Sequence, residues 1–109
     1  MAFDDVLADR VRPLVSRRRG FAEKKMFGGL GFLLDGNMCV GVWKEFLILR
    51  IGSDAYDEAL TQPNVVEFDI TGRPMKGWVM IEPAGVQRES ELVEWANLAI
   101  DFVSGLPRK

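Results

Sequence analysis

Three apolar runs that alternate every second residue, joined by very short connections, constrain this chain more than any other feature. From Lys24 the alternation places Met26, Leu30, Phe32 and Leu34 on one face, and Phe27 and Leu33, with Gly29 and Gly31, on the other. Asp35-Gly36-Asn37 follows, a hairpin signal because Gly and Asn tolerate the positive φ of tight turns. A second alternating run spans residues 38–43, Lys44-Glu45 forms another turn, and residues 46–51 complete a three-strand meander. Connections this short cannot carry a crossover, so neighbouring strands run antiparallel.

The remaining segments read as helices and a second hairpin. Residues 3–17 place Phe3, Val6, Leu7, Val11, Leu14 and Val15 at helical spacing, with Asp4 and Asp5 early and Arg17 to Arg19 late, as the helix dipole prefers. Pro13 predicts a kink or break near Arg12, because proline lacks an amide donor and crowds the preceding turn. Gly20 is the expected stop. Ser53 reads as the N-cap of a short helix to about Leu60, ended by Gln62-Pro63-Asn64. Residues 65–69 and 78–82 are candidate strands around a turn at Thr71-Gly72-Arg73-Pro74. Residues 89–104 carry Leu92, Trp95, Ala96, Ala99, Ile100, Phe102 and Val103 on a broad apolar stripe, the clearest helix in the chain. The expected fold is α+β, two-layer, with a five-stranded antiparallel sheet and flanking helices in the order α-β-β-β-α-β-β-α.

Composition narrows the function classes. A chain of 109 residues, 48% hydrophobic, suits one domain spanning residues 1–109 with a single core. Histidine is absent, which removes the commonest general base at neutral pH, the usual triads and histidine-containing zinc sites. Cys39 is the lone cysteine and has no internal disulfide partner, which fits a reducing compartment. The start of the chain lacks the basic-then-apolar pattern of a signal peptide, and no apolar stretch approaches the roughly 18 residues of a membrane span. A cytoplasmic protein is expected. The net charge of −2 hides an asymmetry: residues 1–51 hold nine bases and six acids, whereas residues 52–109 hold five bases and ten acids.

Met26-Phe27-Gly28-Gly29, the glycine-spaced strand after it, the Asp35-Gly36 hairpin and Met75-x-x-Trp78 ahead of a terminal amphipathic helix resemble the N-terminal domain of the TfoX/Sxy family over roughly residues 5–104. The family is associated with bacterial regulation of natural competence. The resemblance therefore implies a regulatory domain built as a sheet with flanking helices, standing alone without the second, C-terminal domain of full-length regulators. Near the late tryptophan, where the family often has Pro-Tyr, this sequence has Lys76-Gly77.

The residues themselves leave two kinds of function open. Arg17, Arg18, Arg19, Lys24 and Lys25 form basic clusters that are either solvated helix and strand ends or contacts for an acidic partner. Arg73, Lys76 and Trp78 sit on a basic loop with an aromatic at its end, an expected contact site. Met26, Phe27, Gly28, Gly29 and Gly31 read as structural, with the glycines under a packed helix, because no helix start follows them as a phosphate loop requires. Cys39 reads as a buried small hydrophobe, and Trp43 and Trp95 as structural aromatics. Asp54, Asp57 and Glu58 are explained by helix capping as well as by metal, and no cation loop is present. The expectation is a non-enzymatic regulatory or adaptor domain with a protein partner, no catalytic residues, no metal and no cofactor. The alternative is a small-ligand or nucleic-acid binding domain using the glycine strand and nearby lysines. No membrane contact is expected, and open sheet edges leave a homodimer as an option.

Overall fold

The computed structural model describes residues 3–26, 28–69, 72 and 74–107. The Asp4 carboxylate accepts hydrogen bonds from the N–H groups of Val6 (2.9 Å) and Leu7 (3.2 Å), satisfying two amides that a helix start leaves free. Helix α1 (Asp5–Ser16) then runs through Pro13 without the expected break. The proline deprives only the Asp9 carbonyl of an amide partner, and both residues are exposed, where solvent substitutes.

The strand expected to continue from Lys24 to Leu34 is two strands. β1 (Phe21–Met26) and β2 (Gly29–Leu34) pair as a hairpin, with Gly28 at φ 76° just ahead of β2. The sheet therefore has six strands rather than five. The next turn is as expected, with Asp35 at φ 52° and Gly36 at φ 84° leading into β3 (Asn37–Trp43), and Lys44-Glu45 leads into β4 (Phe46–Arg50). Helix α2 (Ser53–Leu60) starts one residue earlier than the capping pattern suggested, with Gly52 and not Ser53 at the N-cap. Gly52 has φ 86°, and a Cβ there would stand 2.4 Å from the Phe102 ring, so only glycine fits. β5 (Val65–Glu67) and β6 (Trp78–Ile81) form the second hairpin, and a 3₁₀ turn (Pro83–Gly85) leads to α3 (Glu89–Ser104). The sheet order is β1-β2-β3-β4-β6-β5, antiparallel throughout.

Alternation along the strands gives this sheet two different faces. One presents Phe32, Val40, Val42, Leu47, Leu49, Val79 and Ile81, and all three helices pack onto it. α1 contributes Val11 and Val15, α2 contributes Tyr56 and Ala59, and α3 contributes Leu92 and Ile100. Arg12 fastens α1 to β1 by pairing with Glu23 as well as with Asp9 (2.7 Å), its guanidinium 5.8 Å from the Phe32 ring centre. Asn37, the buried polar side chain among the described residues, donates from Nδ2 to the Pro107 carbonyl (2.9 Å) and so anchors the chain beyond α3. The β2–β3 register steps from Phe32↔Val40 to Leu33↔Met38 and leaves Cys39 as the extra residue of a bulge. Cys39 and Val40 consequently both join the core, and Met38 falls on the opposite face.

Among the described residues no helix covers that opposite face, which corrects the expectation of a helix against the glycines. Gly31 and Gly41 pair directly across β2 and β3, and methionines reach over them. A Cβ on Gly31 would stand 3.0 Å from Met26 Cε, and one on Gly41 2.7 Å from Met38 Cε. The rest of this face is a second apolar cluster, in which Ile48, Phe68 and Met80 are buried among Trp43, Phe46, Val66 and Trp78.

Candidate binding surfaces

The candidate cations divide between surfaces. Arg17, Arg18 and Arg19 are exposed where α1 ends, and Arg17 Nε donates to the Pro13 carbonyl at 3.3 Å. Gly20 then turns the chain at φ 78°, and its carbonyl accepts the Asp35 N–H at 3.0 Å, which brings the arginines to the Asp35-Gly36 end of the sheet. Lys24 and Lys25 do not form one patch. Lys24 is in register with Gly31 on the helix-free face, whereas Lys25 is in register with Leu30 on the helix side.

Trp78 lies at the same end of the sheet as the three arginines. It pairs with Arg50 across β6 and β4, stacks on Phe68 with ring centres 5.7 Å apart, and lies under the Arg50 guanidinium at 5.5 Å. It opens β6, as the 78–82 strand reading expects, and is half-buried within the helix-free cluster. Lys76 is exposed beside it, and the Gly77 carbonyl accepts the N–H groups of Ile51 (2.8 Å) and Gly52 (3.1 Å), tying this turn to the end of β4. Arg73 lies outside the described residues, as does Phe27. Cys39 joins Arg18 and Arg50 electrostatically: burial pushes its thiol up to about 12, against the opposing pull of these two guanidiniums. Such a thiol stays protonated at neutral pH, consistent with a buried small hydrophobe.

The family model of the TfoX N-terminal domain matches residues 14–103, from the last turn of α1 almost to the end of α3. The chain belongs to the TfoX N-terminal domain family. No curated protein and no solved structure matches it. Within this TfoX N-terminal domain the Met26 to Gly31 motif builds the β1–β2 hairpin: Gly28 turns it, and Met26 folds back over Gly31. A strand, β2, and not a helix follows Gly28.

Two features were not anticipated from the sequence. Arg50 caps the Trp78–Phe68 stack, a role invisible until β4 and β6 are paired. Trp95 packs against the core, as expected of a structural aromatic, but stays half-buried and also lines the surface between α2 and α3. Three adjoining hollows of about 190, 210 and 270 Å³ all have Trp95 and Gln62 in their walls. The available signal was the width of the α3 stripe, which Leu98 extends beyond what one sheet face can cover; Leu98 is 37% exposed. Among the described residues no group of three or more acids and cysteines is placed to hold a metal ion, and no helix is long and apolar enough to cross a membrane.

Proposed function

We propose that this domain is a non-enzymatic regulatory or adaptor module of the bacterial cytoplasm, related to competence regulation, that works by contacting another protein. Membership of the TfoX N-terminal domain family supports this reading. The observation that carries it is the aromatic stack Trp78–Phe68 capped by Arg50, with Lys76 and the exposed Arg17, Arg18 and Arg19 at the same end of the sheet. Tryptophan and arginine are the residues most enriched among interface anchors, and a cationic rim favours an acidic partner. The test is capture from native lysate, with nuclease present, by the parent protein and by a variant carrying Arg17→Glu, Arg18→Glu, Arg19→Glu and Trp78→Ala. A defined protein retained by the parent and lost by the folded variant supports the reading; equal retention by both overturns it.

A second reading, nucleic acid on the helix-free face, draws on one observation. Lys24 and Lys44 lie on this face and Arg50 at its edge, between the Trp78 ring (5.5 Å) and the Phe102 ring of α3 (6.0 Å); Lys44 Nζ is 4.7 Å from the Trp43 ring centre. Basic groups beside stacking platforms suit single strands. On that reading affinity falls with salt by about 0.7 log units per contacted phosphate for each log unit of salt, and retention in the capture experiment disappears on nuclease treatment.

A further inference from the structure

Helices α2 and α3 carry seven acidic side chains, Asp54, Asp57, Glu58, Glu89, Glu91, Glu94 and Asp101, and no lysine or arginine. Surface helices are ordinarily laced with opposite charges three or four residues apart, and cations favour the last turn, where the dipole is negative. Neither helix has a basic residue in its last turn. Glu89 reaches Arg10 on α1 at 3.5 Å, and the Glu91 carboxylate accepts the Arg88 N–H at 3.2 Å. Glu58 and Glu94 have no ion-pair partner among the described residues.

These two carboxylates stand on the rim of the Trp95 hollows. Glu58 lines the hollow shared with Ala55, Ala59 and Leu98, and Glu94 the adjoining one shared with Gln62 and Leu98. Trp95 and Leu98, one turn apart on α3, give the groove an apolar floor that the domain's own elements leave partly open. An indole face beside unpaired carboxylates matches a ligand that is apolar on one side and cationic on the other, because the ring quadrupole and the carboxylates both attract ammonium or guanidinium groups. Two adjoining hollows that share Gln62, Trp95 and Leu98 run along the two-helix groove and suit an elongated occupant rather than a compact metabolite.

We propose that the α2–α3 groove is a docking site for a basic amphipathic helical segment of a partner protein, with Trp95 and Leu98 as its apolar seat and Glu58 and Glu94 as its charge complement. The site lies on the helix side of the domain and is independent of the cationic surface described above.

The test titrates isotope-labelled protein with a synthetic amphipathic peptide of leucine and lysine, using the same peptide with glutamate for lysine as control. The shifts of the Trp95 indole N–H and the Leu98 methyls are followed. The expected result is saturable shifts centred on Trp95, Leu98 and Ala59 with the lysine peptide alone. Glu58→Lys with Glu94→Lys, both at exposed positions, weakens binding by about tenfold or more, since each reversal replaces an attraction by a repulsion. Equal binding by the reversed variant, equal binding of the glutamate peptide, or shifts centred elsewhere would overturn the proposal. A concentration-dependent shift of Trp95 without peptide would also overturn it, by making a second copy of this chain the occupant. Arg17→Glu, Arg18→Glu and Arg19→Glu leave peptide binding intact, so this proposal and the adaptor reading fail separately.

Discussion

The two faces of the sheet solve the same problem by different means. On the helix side, side chains such as Phe32, Val42 and Leu47 are fully buried because α1, α2 and α3 cover them. On the other side the strands cover themselves: Met26 and Met38 lie over the Gly31–Gly41 pair, and Trp43–Phe46 and Phe68–Trp78 stack in pairs capped by Lys44 and Arg50. Helix-covered aliphatics lock into shape, whereas long unbranched methionines and stacked rings shift at modest cost. The first face stores stability, and the second keeps a deformable surface.

That contrast breaks most easily at Phe32, which is fully buried and stacked on Phe21 with ring centres 6.0 Å apart. Phe32→Ala is expected to cost about 3–5 kcal/mol in urea unfolding. Trp43→Ala, a larger deletion on the half-buried helix-free face, is expected to cost about 1–2 kcal/mol. Equal costs would erase the distinction.

Gly41→Ala sharpens it. The new methyl meets Met38 Cε at 2.7 Å but also the Leu30 carbonyl oxygen at 3.1 Å, so a cost of about 1–2 kcal/mol is expected. Adding Met38→Ala should recover part of that cost, because a flexible side chain is the nearer obstacle. A strictly additive double mutant would show that the methionine does not press on the glycine.

Cys39 gives the pH counterpart on the helix side. Its ordinary value of 9.0 holds in the unfolded chain, and burial raises it to about 12 in the fold. The unfolded state therefore loses its thiol proton first. Cys39 contributes its full stability well below pH 9 and loses it progressively as pH rises toward 12, by about 1.4 kcal/mol at pH 10. Tyr56 acts in the same direction, raised by desolvation and by donating its hydroxyl proton to Glu67 Oε2 at 3.1 Å. Unfolding free energies across pH 8–10 should fall less steeply for Cys39→Ala; an identical slope would show that the thiol is not the responsible group. The smallest effect is expected at Lys44→Gln, about 0.5 kcal/mol, because the exposed ammonium over Trp43 is well hydrated.

Much of the fold was legible because local chemistry decides it. Asp35-Gly36 could only be a tight turn, the 89–104 stripe could only be a helix against a core, and hairpin connections imposed antiparallel pairing. The sixth strand was missed because alternation continues in phase across residues 27–28, so the only local mark of the turn was Gly28, one glycine among three. The sides of the sheet were misjudged for a related reason: a turn at Gly28 and a bulge at Cys39 each reset the alternation, and pattern reading assumes an unbroken strand.

The sequence alone determined the α+β class, the antiparallel hairpins, the family and the burial of its lone cysteine. Which side the helices cover, which aromatics meet Arg50, and the partial exposure of Trp95 between two acidic helices were decided only in three dimensions. Those outcomes depend on strand register and helix packing between residues far apart in the chain. No local propensity encodes which of two apolar faces the helices will choose.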